Sequence, residues 1–450
     1  MLKKILIANR GEIAVRIIRA CRELNIRTVA IYSEQDKDAL HTQMADEAVC
    51  VGGPLSKDSY LNMTNILSAC VLTGCEGIHP GFGFLSENPK FAKMCKECNI
   101  KFIGPDYETI ELMGDKARAR EIMKKAHVPV VPGYEGEILS YDHALDLAKN
   151  IGFPLMIKAA AGGGGKGIRI VRDIKEFKRN FEAAKLESKA CFGEDKVYIE
   201  KFIENPRHIE FQILADEHGN VIHLGERECS MQRNNQKVLE EAPSVFLNDD
   251  LREKMGKVAV KAAQAVDYKN AGTIEFLVDD SGEFYFMEMN TRIQVEHPIT
   301  EMVTNIDIVK QQLKIASGMK MEIGQEDIKI SGHAIECRIN AEDPKNNFRP
   351  CPGVITELYT PSGLGVRVDS AIYCGYEIPP YYDSMIGKLI TFGDDRETAI
   401  IKMKRALDEF AIGGVTTNID FQYEILEHED FINGNYNTSF IENKLVNNNA

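Results

Sequence analysis

The chain has 450 residues, and 54 Lys and Arg stand against 68 Asp and Glu, so the formal net charge at neutral pH is −14. Hydrophobic residues make up 44% and charged residues 27%, a composition that is typical of a globular protein and excludes a disordered or fibrous one. The acidic balance argues against a broad nucleic-acid-binding surface, and no apolar run reaches the roughly 18 to 20 residues that span a bilayer.

The chain start and the cysteines indicate a reducing compartment. Residues 1–10 read as a strand and a turn, not as a signal peptide. The eleven cysteines are scattered, as is typical of reduced thiols, and only Cys95 and Cys98 form a C-x-x-C pair. A zinc site would need a second such pair, so we interpret these two as helix residues. We therefore predict a cytoplasmic protein that binds neither nucleic acid nor membrane.

The first part of the chain alternates short apolar strands with helices. Strands are predicted at 3–8, 27–32, 48–51, 77–79 and 101–103, and helices at 11–24 and 60–72. Such βαβ alternation predicts a doubly wound parallel sheet. The first turn, residues 9–12, lacks a G-x-G-x-x-G pattern, so a dinucleotide site is not indicated.

The pattern changes after residue 105. A long helix carrying Lys116 is predicted from Asp106 to Ala126, and it ends before Pro129. Strands at 154–159 and 168–171 and a helix at 174–188 then predict a small inserted lid domain. Longer strands follow, at 209–215, 221–224, 272–278 and 284–289, and a further helix is predicted at 396–407.

A glycine-rich loop is the first chemical signal. Four glycines, Gly162 to Gly165, precede Lys166 and Gly167, and glycines let backbone N–H groups close around phosphate oxygens. The loop leads into a strand, not into a helix, so it is not a Walker A loop. A flexible linker is the alternative reading, but linkers are not normally placed between two β runs, one of which carries Lys158.

Carboxylates inside apolar strands are the second signal. Glu275 lies within one predicted hairpin strand, and Glu288 and Asn290 lie at alternate positions near the end of its partner. Burying such acids is costly unless a cation pairs with them, and oxygen ligands suit Mg²⁺ that bridges nucleotide phosphates. The alternative is a pair of solvated edge-strand glutamates.

Residues 290–298 are the third signal, because a cation, an amide and an acid follow the metal candidates closely. Arg292 could hold a small anion through two hydrogen bonds, and Glu296 could remove its proton. Alternatively, Arg292 and Glu296 form an ordinary salt bridge. His297 is interpreted as a packed or capping residue.

Taken together, these motifs resemble biotin carboxylase, the ATP-grasp component of biotin-dependent carboxylases, along essentially the whole chain. The collinear matches lie at 7–14, 79–87, 112–116, 158 with 162–167, 288–298 and 336–343. The resemblance implies an N-terminal doubly wound parallel-sheet domain (1–113), an ATP-grasp domain with a mobile lid (114–330, lid about 130–203) and a C-terminal mixed α/β domain (331–446). The expected fold class is thus α/β and α+β.

The resemblance also implies the reaction and its residues. ATP would phosphorylate bicarbonate to carboxyphosphate, and biotin on a separate carrier protein would then be carboxylated. The implied ATP-binding residues are Lys116, Lys158, Gly163, Gly164, Gly165, Lys166, Gly167, Glu200, Lys201, Phe202, Ile203, His208, Gln232, Asn235, Glu275, Leu277 and Glu288. The implied metal residues, for Mg²⁺ or Mn²⁺, are Glu275, Glu288 and Asn290. The implied bicarbonate residues are Lys237, Arg292, Gln294, Val295 and Glu296.

Four residues are implied to act in catalysis: Glu296 as the base for bicarbonate, Arg338 as the cation for the biotin enolate, and Lys237 and Arg292. Arg338 and Phe82 are the implied biotin contacts. Two positions depart from the family pattern: Phe82 stands where Tyr is common, and Asn235 lies in a stretch that is often more basic.

The resemblance further implies a homodimer that works with a biotin carboxyl carrier protein and carboxyltransferase subunits. The first half-reaction of acetyl-CoA carboxylase, which feeds malonyl-CoA and fatty acid synthesis, is the leading interpretation. The alternatives are a subunit of pyruvate or propionyl-CoA carboxylase, another ATP-grasp carboxylate–amine ligase, and a non-catalytic nucleotide-binding regulator. Lys237, Glu296 and Arg338 together favour the carboxylase over the ligase, and Glu296 argues against a mere sensor.

Overall fold

The computed structural model describes residues 1–134, 138, 140–159, 168–192 and 197–446. The chain forms two compact units. The main unit consists of Met1–Val128, Arg207–Phe276 and Glu288–Ala450, and the second unit consists of Pro129–Pro206 and Leu277–Met287.

The main unit begins with the predicted parallel sheet. Its strands and helices are β1 (Lys4–Ile7), α1 (Gly11–Glu23), β2 (Arg27–Ser33), α2 (Leu40–Met44), β3 (Glu47–Gly52), α3 (Met63–Leu72), β4 (Gly77–His79), α4 (Pro89–Glu97) and β5 (Lys101–Phe102). The strand order is β3-β2-β1-β4-β5, and neighbouring strands are parallel. Ile5, Leu6 and Ile7 are fully buried because helices cover both faces of such a sheet. The prediction of a doubly wound sheet is confirmed.

One predicted helix is wrong. Residues 106–126 form two helices, α5 (Tyr107–Gly114) and α6 (Lys116–Lys125), with a break at Asp115. Asp115 has extended backbone angles, and its side chain accepts hydrogen bonds from the N–H groups of Ala117 and Arg118. An aspartate that satisfies these amides begins a new helix, so Lys116 is the first residue of α6.

The second unit contains a four-stranded antiparallel sheet with two helices. Its elements are β6 (Gly133–Tyr134), α7 (Tyr141–Ile151), β7 (Leu155–Ala159), β8 (Ile168–Val171), α8 (Ile174–Phe192) and β9 (Val197–Lys201). The strand order is β6-β9-β7-β8. Leu155, Ile157, Ile199 and Phe177 are buried in its core.

A large sheet carries most of the remaining chain. Its strands are β10 (Arg207–Ala215), β11 (Val221–Arg233), β12 (Gln236–Ala242), β13 (Asn270–Val278), β14 (Phe284–Asn290), β15 (His333–Asn340), β20 (Val366–Ser370) and β22 (Met385–Gly393). They lie in the order β14-β13-β10-β11-β12-β15-β22-β20. The strands of the central and C-terminal sequence regions therefore join in one sheet, through the antiparallel pair β12 and β15.

Smaller strands and helices complete the main unit. The short strands are β16 (Glu342–Asp343), β17 (Arg349–Pro350), β18 (Gly353–Val354), β19 (Glu357–Tyr359), β21 (Glu377–Ile378) and β23 (Ala411–Gly413). The helices are α9 (Asp249–Ala265), α10 (His297–Thr304), α11 (Ile308–Ala316), α12 (Arg396–Glu409), α13 (Ile419–Glu427) and α14 (Glu429–Ile432), and Ile441–Val446 form a π-helical turn. Within the described ranges, none of the helices has the length and apolarity to cross a bilayer.

Candidate active site

Lys237 is the centre of a buried charge cluster in the main unit. Its Nζ lies 2.6 Å from Glu210 Oε2, 3.1 Å from Glu275 Oε1 and 2.6 Å from Glu296 Oε1. Burial lowers the pKa of Lys237, but the acids around it outweigh that effect and raise the pKa well above its usual value. Lys237 is therefore an ammonium ion that neutralises part of the charge of three carboxylates.

A tight turn places Lys237 on β12. Arg233 pairs with Gln236 across the β11–β12 hairpin, and the two residues between them, Asn234 and Asn235, have positive φ angles of 49° and 62°. A two-residue hairpin of this kind needs left-handed residues, and asparagine adopts that conformation readily. The Asn235 departure thus has a structural reason, since it suits the turn that precedes Lys237.

Glu296 lies between two cations. Its Oε1 accepts from Lys237, and its Oε2 accepts a hydrogen bond of 3.0 Å from Arg338 Nη2. Burial raises the pKa of Glu296, but Lys237 and Arg338 outweigh burial and the nearby Glu210, so the net pKa is lowered. The carboxylate is therefore ionised at neutral pH and can accept a proton from a group that enters between these cations.

Arg292 is held at the edge of this cluster by a different acid. Its Nε donates to Glu87 Oε2 over 2.8 Å, and its Nη2 donates to Asn290 Oδ1 over 3.1 Å. Glu87 also accepts a hydrogen bond from the backbone N–H of Thr291, so one carboxylate fixes both the main chain before Arg292 and the Arg292 guanidinium. Arg292 and Glu296 accordingly have separate ion-pair partners, which disfavours the simple salt bridge that the sequence left open.

The predicted metal residues come together only in part. Glu275 Oε1 accepts a 2.8 Å hydrogen bond from Asn290 Nδ2, and His208 Nε2 lies 2.9 Å from Glu275 Oε2. Burial raises the pKa of Glu275, but Lys237 and His208 outweigh it and hold the pKa well below its usual value. Glu288 is partly exposed and lies 3.5 Å from Lys116 Nζ.

The donor set of these three residues is chemically suited to Mg²⁺. Glu275, Glu288 and Asn290 offer carboxylate and amide oxygens, which are the ligands that this hard cation prefers. The lowered pKa of Glu275 keeps its carboxylate ionised, as a ligand of Mg²⁺ must be. Glu288 is the member of the set that remains partly open to solvent, so a phosphate-bound ion could reach it.

A cavity of about 520 Å³ adjoins the charge cluster. Phe82, Arg292, Val295 and Arg338 contribute to its lining, together with the aromatic residue Tyr382. Gln294 lies beside it, buried, and its Nε2 donates to Glu275 Oε1 over 2.8 Å. Both predicted biotin residues, Phe82 and Arg338, therefore line this cavity, together with two of the predicted bicarbonate residues, Arg292 and Val295.

Two predicted nucleotide contacts form a pair within the main unit. Gln232 Nε2 and His208 Nδ1 lie 2.7 Å apart.

His297 is fully buried, and its Nδ1 lies 2.8 Å from the carbonyl oxygen of Gln294. This placement agrees with the interpretation of His297 as a packed residue.

The remaining nucleotide candidates belong to the second unit or lie outside the described residues. Glu200 and Lys201 end β9, and the N–H groups of Lys201 and Phe202 donate to the carbonyls of Pro132 and Pro154. Ile203 is buried, and Leu277 lies in β13. The backbone of Lys158 lies in β7, whereas its side chain and the loop residues Gly163, Gly164, Gly165, Lys166 and Gly167 are outside the described part of the chain.

Sequence reasoning missed several members of the site. Glu210 is fully buried between Lys237 and Arg227, and Arg227 Nη2 in turn donates to Gln294 Oε1 over 2.7 Å. Glu210 lies in an apolar strand run, so the rule that selected Glu275 could have found it. Glu87 gave no such signal, because its role depends on a contact with Arg292, 205 residues away.

Family models match almost the whole chain. Residues 1–110 match the model described as "Biotin carboxylase, N-terminal domain", and residues 336–443 match "Biotin carboxylase C-terminal domain". Residues 115–323 match "Carbamoyl-phosphate synthase L chain, ATP binding domain".

Individual proteins are similar over the same length. The chain is 61% identical over 439 residues to the biotin carboxylase of Nostoc sp., with 98% of each chain covered. It is 60% identical over 443 residues to biotin carboxylase 1 of Bacillus subtilis, again with 98% of each chain covered. The biotin carboxylase domain dimer of Hydrogenobacter thermophilus 2-oxoglutarate carboxylase, solved with MgADP, ADP and bicarbonate, matches with a TM-score of 0.87 and 53% identity, over 98% of this chain and 97% of that one.

Proposed function

The chain belongs to the biotin carboxylase family and catalyses the ATP-dependent carboxylation of biotin, and we propose that Glu296 is the base of this reaction. One observation carries the assignment: Glu296 is buried and ionised, and it lies between Lys237 and Arg338 beside the cavity that Arg292 and Val295 line. A bicarbonate ion in that cavity would meet two cations and a proton acceptor together.

The proposed first step is phosphoryl transfer to bicarbonate. An oxygen of bicarbonate attacks the γ-phosphorus of ATP, the bond to ADP breaks, and the bicarbonate proton passes to Glu296. Lys237 and Arg292 stabilise the negative charge of the bicarbonate, with Gln294 and Val295 as further contacts. The product, carboxyphosphate, breaks down to CO₂ and phosphate.

The proposed second step is carboxylation of the biotin ureido nitrogen. The phosphate released from carboxyphosphate takes the ureido proton, and the ureido nitrogen then bonds to the carbon of CO₂. The negative charge that develops on the ureido oxygen needs a permanent cation close by. Arg338 is suited to this role because a guanidinium stays protonated at all relevant pH values. Phe82 lines the same cavity and would contact the biotin ring.

We propose the following residues for the metal and the nucleotide. Glu275, Glu288 and Asn290 would hold Mg²⁺, which when bound neutralises the charge of the ATP phosphates. Lys116, Lys158, Lys166 and the glycines 163–165 and 167 would bind phosphate oxygens. His208, Gln232, Asn235, Leu277 and residues 200–203 would contact the rest of the nucleotide.

We further propose that biotin arrives on a separate carrier protein and that the chain works as a cytoplasmic homodimer with carboxyltransferase subunits. Acetyl-CoA carboxylase is the proposed complex, because the relatives at 61% and 60% identity are named for biotin carboxylation alone. The relative from 2-oxoglutarate carboxylase shows that a similar subunit can serve another acceptor, so pyruvate and propionyl-CoA carboxylases stay alternatives. Identification of the carrier that co-purifies with the protein would decide between them.

The activity is tested by ADP release from Mg-ATP with and without bicarbonate and free biotin. We expect release to require bicarbonate and to rise when biotin is added. Turnover that is indifferent to both compounds would reject biotin carboxylation and favour a carboxylate–amine ligase.

A further inference from the structure

The β12–β15 strand pair places a pair of acids on one face and a neighbouring apolar pair on the other. Leu239 is opposite Cys337, and Glu240 is opposite Glu336. Leu239 and Cys337 are buried in the C-terminal hydrophobic core. Alternate positions of a strand point to opposite faces, so Glu240, Glu336 and Arg338 share the face that adjoins the active site.

Glu240 is the acid that directly contacts Arg338 on this face. The Glu240 side chain is fully buried, and its Oε1 accepts from Arg338 Nε over 2.7 Å and lies 2.5 Å from Arg338 Nη2. Burial raises the pKa of Glu240 to about 7, although the adjacent Arg338 opposes that shift. The same Nη2 donates to Glu296 Oε2 over 3.0 Å. Arg338 therefore bridges two carboxylates, one of which is the proposed base.

The main chain at Arg338 is fixed independently of its side chain. The carbonyl oxygen of Arg338 accepts hydrogen bonds from Asn418 Nδ2 over 2.9 Å and from Gln422 Nε2 over 2.8 Å. The Cα of Arg338 is thus anchored, and the position of the guanidinium depends on its carboxylate partners. An arginine side chain is long and flexible, so removing one partner would let the other draw it in.

We propose that Glu240 is a positioning residue for the carboxylation of biotin, because it holds the Arg338 guanidinium away from full ion pairing with Glu296. This inference rests on the proposed function. With Glu240 present, one edge of Arg338 is engaged behind the cavity, so Glu296 can exchange its proton while the cation stays directed at the biotin oxygen. Without it, the Arg338 guanidinium is drawn towards Glu296 and away from the biotin oxygen, and CO₂ is lost before it reacts with biotin.

The neighbouring acid, Glu336, provides a matched comparison. It is fully buried, faces the same side and lies directly opposite Glu240 on β15, yet neither of its oxygens has a hydrogen-bond partner among the described residues. Burial raises the pKa of Glu336 well above its usual value. A glutamine at this position keeps the size of the side chain and removes no hydrogen bond to Arg338.

The test compares Glu240→Gln with Glu336→Gln and wild type. The measured quantity is carboxybiotin formed from labelled bicarbonate per ADP released, with free biotin as the acceptor. We expect this ratio to fall about tenfold or more in Glu240→Gln, because a misplaced catalytic group can cost up to about a hundredfold, and to stay at the wild-type value in Glu336→Gln. ATP binding, measured by calorimetry, serves as the control for folding.

Other results would overturn the inference. If both rates of Glu240→Gln fall in parallel and the ratio is unchanged, Glu240 has a structural role only. If Glu336→Gln lowers the ratio equally, altered packing on this face is responsible, and not the contact of Glu240 with Arg338. Should Glu240→Gln fail to fold, Glu240→Asp decides, since it keeps the charge but shortens the reach; an unchanged ratio in that variant refutes the proposal. A wild-type protein that forms no carboxybiotin would instead refute the proposed function.

Discussion

Replacing Glu296 with glutamine removes the proposed base but preserves the volume of the side chain. The surrounding cations would stay paired, because Lys237 also contacts Glu210 and Glu275, and Arg338 also contacts Glu240. A buried ion pair usually becomes costly when one partner is lost, since the other charge is left uncompensated. Here each cation keeps another carboxylate, so we expect Glu296→Gln to fold and to bind ATP.

The expected loss is in the chemical step. A positioned general base contributes about 10² to 10⁴ in rate, which corresponds to about 2.7 to 5.4 kcal/mol at about 1.36 kcal/mol per tenfold change. The lower limit applies if bicarbonate can lose its proton to water. The structure favours a large effect, because Glu296 is only 1% exposed and bulk water cannot easily replace it.

The assay is bicarbonate-dependent ADP release at saturating Mg-ATP, together with the dissociation constant for ATP. Glu301→Gln is a suitable control, because Glu301 lies in α10, the helix that Glu296 directly precedes, is buried, and pairs with Arg16 outside the site. We expect unaltered ATP affinity in both variants and lost turnover only in Glu296→Gln. Turnover within threefold of wild type would refute the assignment of Glu296 as the base.

Three further changes test other parts of the molecule. Phe82→Tyr should lower the KM for biotin about two- to tenfold, the range for one added hydrogen bond, and an unchanged KM would show that no partner lies within reach. Glu288→Gln should raise the Mg²⁺ concentration needed for half-maximal ATP turnover about tenfold or more; an unaltered Mg²⁺ titration would remove Glu288 from the metal site. Burial raises the pKa of Glu241, but Arg396 and His333 outweigh it and lower the pKa to about 2, so the stabilisation is present above pH 4.5 and is lost as the pH falls through 2. Arg396→Met should therefore lower the free energy of unfolding at pH 6 by about 3 to 5 kcal/mol and make that free energy fall less steeply on acidification. The free energy is measured by urea unfolding between pH 6 and pH 3. A variant whose free energy of unfolding depends on pH as steeply as that of wild type would contradict this.

Local patterns in the sequence were sufficient for most regular elements. The spacing of Ile13, Ile17 and Cys21 predicts helix α1, and the apolar runs predict strands such as β4 and β8 with their observed bounds. These predictions succeed because burial of one helical face or of a whole strand leaves its period in the sequence. Asp115 shows the limit, since an aspartate can lie within a helix or begin one, and the periodicity on either side does not distinguish the two.

The candidate site was predictable from the sequence where a charged residue lies within an apolar strand. Glu275 and Glu288 are acids within apolar strands, and such residues need a compensating cation wherever the chain folds. The resemblance to biotin carboxylase supplied Lys237, Arg338 and Asn235, for which the local pattern alone carried little information.

The sequence by itself determined the order of strands and helices, the chemical groups available, and the family to which the chain belongs. The contacts of Glu210, Glu87 and Glu240 depend on strand order and register, which bring together residues that are 17 to 205 positions apart. Charge interactions inside a protein depend on distance and burial, and neither is encoded by position along the chain. For that reason the pairing of Arg338 with two carboxylates, and the ionised state of Glu296 between its cations, emerge only once β12 and β15 lie side by side.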